Sequence, residues 1–151
     1  MLDKITKGFL AGTAGGFTMS ILDLILYYII KFDDELYLEW GSIVVFGRLP
    51  ENIGEMIIGQ ISKITFAGFL GVIYFLFMKR QKIKINLING TIFGTFSWFI
   101  IYGISILFRV PYLTTHSFEA VIATFLGAVT YGVTLTTTAK QLNNDSDLKQ
   151  N

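Results

Sequence analysis

Residues 53–78 read IGEMIIGQISKITFAGFLGVIYFLFM, a run with only two charged side chains, Glu55 and Lys63, and apolar or small residues at nearly all other positions. A bilayer core of about 30 Å takes roughly 20 predominantly apolar residues as a helix, the form in which a single segment bonds all its own backbone groups. The stretch therefore predicts a transmembrane helix. Outward from it, residues 8–30, 86–108 and 118–138 meet the same requirement. The expected fold is all-α: an integral membrane four-helix bundle over residues 1–140, followed by a polar tail at 141–151 with no apolar anchor to offset the entropy of ordering.

Composition agrees. A hydrophobic content of 52% and a mean hydropathy of +0.58 are too apolar for a water-soluble domain of 151 residues. Nearly all charged side chains fall between the runs, whereas a soluble bundle would intersperse them along its helices. With no cysteine, disulfides, thiolate metal sites, iron–sulfur clusters and a cysteine nucleophile are excluded. The single histidine, His116, leaves haem and zinc sites without a ligand set, so no metal and no cofactor are expected. The Gly-x-x-x-x-Gly-Lys, His-Glu-x-x-His and Gly-x-Ser-x-Gly signatures are absent, and the chain is not expected to be an enzyme. Lys4 and Lys7 ahead of the first run imitate a secretory signal. That run continues to Ile30, contains Asp23 and lacks a small-x-small cleavage site, so it is expected to stay as the first span.

Basic residues set orientation. Lys4, Lys7, Lys79, Arg80, Lys82, Lys84, Lys140 and Lys149 fall on one side of the four spans, and Lys31, Arg48 and Arg109 on the other. The richer side is expected to be cytoplasmic, which places both termini inside a cell membrane. The cluster from Lys79 to Lys84 reads first as a topology anchor and second as a site for anionic headgroups. A net charge of +1 without an aromatic-interleaved basic surface excludes nucleic acid as a partner.

Lipid chains are as apolar as Leu, so membrane helices associate through close backbone approach and polar contacts. Small residues mark the expected contact faces: Gly8, Gly12 and Gly16 in span one, Gly59 and Gly71 in span two, Gly90 and Gly94 in span three, and Gly127 in span four. The stripe of span one leads to Asp23, and that of span two carries Lys63. Both intramembrane charges thus sit on the facing sides of consecutive antiparallel helices and are expected to pair, either as glue for the first hairpin or on a proton or ion path. Ala67 to Tyr74 and Ala123 to Tyr131 also look alike, which suggests two tandem hairpins related by a parallel repeat.

The loop at 31–52 is too long for a minimal turn and too apolar to float free. Leu36, Trp40, Ile43 and Val44 fall on one helical face, opposite Glu35, Glu39 and Ser42, which predicts a short interfacial helix with Trp40 as its anchor at headgroup depth. Asp33 or Asp34 would cap it and Gly47 would end it. Glu39, Arg48, Glu55 and Glu119 form a candidate outer polar cluster.

The run Gly8-Phe-Leu-Ala-Gly-Thr-Ala-Gly-Gly16, then Tyr27-Tyr28, Trp40-Gly41, Phe46-Gly47-Arg48-x-Pro50, Glu55 and Phe108-Arg109-Val110-Pro111, resembles uncharacterised four-span membrane proteins of Gram-positive, spore-forming bacteria. The likeness covers most of the chain and implies no activity and no catalytic residue. Small four-span multidrug exporters keep a Glu in span one that Asp23 would imitate, but their loops are very short. Four-span fluoride channels share only the Gly-rich start. The expected role is a non-enzymatic accessory or scaffold component in the lipid bilayer that packs with itself or with a membrane-protein partner. The alternative is a small oligomeric transporter or channel using Asp23 and Lys63.

Overall fold

A computed structural model describes residues 3–31, 38–110, 112–113 and 117–147, with the backbone alone at 38–39 and 144–147. The described residues form α1 (Lys4–Leu24), which runs on as a π-helical segment Ile25–Ile30, then α2 (Leu38–Phe46), α3 (Ile53–Arg80), α4 (Leu87–Leu107) and α5 (Phe118–Asp147). Four helices are long and apolar enough to cross a membrane: Lys4–Ile30, Ile53–Arg80, Leu87–Leu107 and Phe118–Asn143. The protein is an all-α, multi-pass membrane bundle, with a short fifth helix in the first long loop.

Local chemistry sets the helix ends. Asp3 Oδ1 accepts from the Thr6 amide (2.6 Å), and this bond holds the Asp3 carboxyl below its ordinary pKa of 3.8. Asn52 caps α3 through the Glu55 amide (3.0 Å), while Glu55 Oε2 accepts from the amide of Glu51, one residue before the cap (2.9 Å). Asn86 caps α4 through the Asn89 amide (2.8 Å). Two C-termini close alike. The amide of Ile83 bonds Met78 O and that of Lys82 bonds Lys79 O; Val110 bonds Ser105 O and Arg109 bonds Ile106 O. These are Schellman closures whose left-handed position, normally glycine, holds Lys82 (φ 53°) and Arg109 (φ 48°). A cation there complements the negative end of the helix dipole.

Glycine then brings the helices together. Gly8 and Gly12 of α1 lie backbone to backbone against Gly71 and Gly68 of α3, and Gly16 lies on Ala67. In the same way Gly90 and Gly94 of α4 lie on Gly132 and Ala128 of α5. The hairpins join through the other side of α1, where Gly15 meets Tyr131 and Met19 meets Gly127. Each contact substitutes dispersion and close approach for the hydrophobic drive that lipid does not supply. Side chains of Ala11, Tyr74, Phe75, Met78, Tyr131, Leu135 and Ala139 fill the space among α1, α3 and α5.

These contacts correct several expectations. The central pair is α1 and α5, with α3 beside α1 and α4 beside α5. The register also differs from the sequence likeness, which aligned Gly71 with Gly127: it is Gly132 that meets Gly90 as Gly71 meets Gly8. Gly59 faces away from α1 and lies against Gly41 and Ser42 of α2.

Helix α2 is present but turned from the expected face. Trp40 (8% exposed), Ser42 (0%) and Ile43 (3%) point inward, whereas Val44 (73%) points out. The cause is the Gly41–Gly59 contact, which seats the α2 backbone directly on α3 and leaves Ser42 Oγ to donate to Glu55 O (3.1 Å). Trp40 packs with Ile43, Leu113 and Tyr102, whose ring centroid is 5.1 Å away, so it anchors α2 to protein and not to the headgroup layer. Gly47, at φ 71°, follows the last helical residue, and its amide bonds Ile43 O (2.8 Å). Asp33, Asp34, Glu35 and Leu36 lie outside the described residues.

Residues 141–147, expected in a disordered tail, continue α5 to Asp147. Lys79 Nζ donates to Asn143 Oδ1 (2.6 Å), and this tie to α3 supplies the anchor that composition does not reveal.

Candidate functional site

Asp23 ends the stripe of small residues on α1, one residue before α1 finishes, where the helix widens into the π-helical segment Ile25–Ile30. Single π-type insertions in α-helices are frequent at functional positions because they re-aim neighbouring side chains. Lys63 stands ten residues into α3, about 15 Å from its start at 1.5 Å per residue, near the middle of a bilayer core. Helical side chains lean toward their own N-terminus. In an antiparallel pair Asp23 and Lys63 therefore lean toward one another, and the Asp23 carboxylate acts electrostatically on the Lys63 ammonium.

Two neutral groups complete this level. Gln60 Nε2 donates to Ser20 Oγ, and Ser20 Oγ donates to Gly16 O (2.9 Å), a hydrogen-bond chain from α3 to α1. Ser20 precedes Asp23, and Gln60 precedes Lys63, by three residues, so each pair shares a helix face. That spacing is the sequence signal for Ser20. Asp23 Oδ2, Gln60 Oε1 and Lys63 Nζ are all enclosed by protein.

Lys63 also borders a cleft of about 70 Å³. Phe66 and Leu70 of α3 form one wall, and Ser97, Trp98 and Ile101 of α4 the other; Ala67, Gly94, Ala128 and Tyr131 make the floor. Tyr131 is held by its hydroxyl, which donates to Ala67 O (2.8 Å). Trp98 is held by Thr124 Oγ1, which accepts from its indole N–H (3.2 Å). Ring pairs bridge helices on either side of the cleft: Tyr74 of α3 with Phe93 of α4 (centroids 5.1 Å apart), and Trp40 of α2 with Tyr102 of α4 (5.1 Å). The result is a lateral notch large enough for a side chain or a few waters, since one water needs about 10–15 Å³ of such space.

At the α2 end, Arg48 forms a two-pronged pair with Glu55 (2.9 Å at both oxygens) and a contact with Glu51 (3.1 Å). The Glu55 hydrogen bonds raise the Arg48 pKa above its ordinary value. Of the expected outer cluster, Arg48 and Glu55 come together. Glu119 is exposed at the start of α5 and pairs with neither among the described residues, and the Glu39 side chain lies outside them. This cluster ties the approach of α2 to the first turn of α3. Among the described residues no group of three or more His, Cys, Asp or Glu side chains is arranged to hold a metal.

Gly8, Gly12, Gly16, Gly71, Gly90 and Gly94 all lie at helix contacts within the protomer, as does Gly127 against Met19. The cleft itself was missed. Its lining residues are ordinary span residues in sequence, and only the separation of α3 from α4 brings them around one opening. No known protein family, curated protein or solved structure matches the chain.

Proposed function

We propose that the protein is a non-catalytic accessory component of the cell membrane, with both termini in the cytoplasm, that binds a helix of a membrane-protein partner at the lateral cleft. The cleft carries this reading. Its floor of small residues, Ala67, Gly94 and Ala128, leaves a notch between the larger side chains of α3 and α4 whose volume suits one inserted side chain. A photo-crosslinking residue at Phe66, at the cleft, and another at Phe99, on the exposed outer side of α4, test the idea in cells. A discrete adduct of defined mass from position 66 alone is the expected result. Equal labelling from both positions, or lipid adducts only, refutes it.

A second reading, a small transporter or channel, is favoured by one observation: a buried carboxylate beside a π-helical segment acts on an enclosed ammonium deeper in the same span region. Solute or proton flux in liposomes that Lys63→Met abolishes, with the fold intact, would replace the accessory role by this one.

A further inference from the structure

At the end of the bundle opposite α2, three lysines from different parts of the chain line one pocket. This pocket of about 400 Å³ is lined by Lys79 at the end of α3, Ile83, Lys84 and Ile85 of the α3–α4 loop, and Lys140 and Asn143 of α5. We infer that this pocket binds the phosphate of an anionic phospholipid headgroup.

The pocket is built and not a chance meeting of surface lysines. Lys79 Nζ is held on two sides, by Asn143 Oδ1 (2.6 Å) and over the Phe75 ring (5.8 Å to its centroid). The loop that carries Lys84 is held by the Schellman closure at Ile83, and Asn89 Nδ2 donates to Lys84 O (3.0 Å). Ammonium groups positioned in advance lose less entropy when an anion arrives. Among the described residues no acid lines the pocket. Asp3, the acid with a described side chain at this end, is engaged in capping α1.

Two features select a lipid over free phosphate. The pocket lies where the spans Ile53–Arg80 and Phe118–Asn143 end, which is headgroup depth for a bundle of this height. Its remaining walls, Ile83 and Ile85, are apolar and suit the first methylenes and glycerol of a lipid. Basic pockets between membrane helices hold anionic headgroups in this manner, each cation near the surface strengthening binding by about fivefold. The volume also falls within the roughly 300–1,000 Å³ typical of small-molecule pockets.

A topology anchor depends on the number of charges in the loop, whereas a site depends on their positions. Two variants separate the cases. Lys84→Gln combined with Gln81→Lys keeps the loop charge while emptying one corner of the pocket, and Lys140→Gln alters α5 alone. The full chain in detergent is titrated with phosphatidylglycerol, phosphatidylcholine or inorganic phosphate, and the thermal midpoint and native mass spectrum are read. Phosphatidylglycerol is expected to raise the midpoint and remain bound. Phosphatidylcholine and inorganic phosphate are expected to do neither, and each variant should weaken the lipid effect about fivefold. An undiminished response in both folded variants overturns the site. An equal response to inorganic phosphate overturns the assignment to lipid.

Discussion

Asp23→Asn and Lys63→Met, made singly and together, measure whether the two intramembrane charges hold the first hairpin together. Both substitutions nearly preserve volume, so packing against Ser20, Gln60 and the cleft should survive. Lys63 stands about 15 Å into α3, where a charge at the bilayer centre costs about 3 kcal/mol on insertion scales. Removing one partner of a buried pair typically costs about 3–5 kcal/mol, while removing both is often neutral. Each single variant should therefore lose about 3 kcal/mol, and the double variant should lie within about 1 kcal/mol of the parent, a coupling of several kcal/mol. Unfolding in mixed micelles, followed by the fluorescence of Trp40 and Trp98, supplies the free energies. Asp23→Asn with Lys79→Met is the control: these residues lie at opposite ends of the bundle, and their effects should add to within about 0.5 kcal/mol. If Asp23 and Lys63 are equally additive, the pairing argument fails.

Gly12→Val should destabilise by about 1–3 kcal/mol, because an added Cβ meets the backbone of Ala67 and Gly68 and forces α1 from α3. Gly103→Val, where nothing lies within 4 Å of the new atom, should leave the thermal midpoint almost unchanged. Lys82→Gly and Arg109→Gly should each stabilise by about 1 kcal/mol through relief of the left-handed backbone, and a drop in either midpoint would contradict the Schellman assignment. The Asp3 carboxyl is held below its ordinary pKa of 3.8, so its cap is fully present above that value and is lost as pH falls through the lower, folded one. Exchange protection of the Thr6 amide should drop over that acid range in the parent and stay flat in Asp3→Asn.

Much of the bundle is legible residue by residue. The four spans could be placed to within a few residues because lipid acts on each segment separately: a run of 20 apolar side chains is stable in hydrocarbon whatever its neighbours are. The stop at Gly47 and the approach faces marked by glycine, Gly59 excepted, are similarly local. The candidate site was legible in part. Asp23 and Lys63 stand out as charges within spans, but the cleft beside Lys63 does not, since Phe66, Trp98 and Ile101 carry no local mark.

What only tertiary structure decided is which face meets which. Helix α2 reads from periodicity as amphipathic with Val44 inward, yet the seating of Gly41 on Gly59 turns Ser42 inward instead. Gly71 and Gly127 look equivalent in sequence, but Gly132 takes the matching place in the fold. The polar end of α5 stays helical because Lys79 reaches Asn143 from another helix. The physical reason is common to all three. Hydropathy sorts segments between water and lipid, whereas within lipid both faces of a helix are equally apolar, and partner choice falls to short-range shape and a few hydrogen bonds made between residues far apart in the chain.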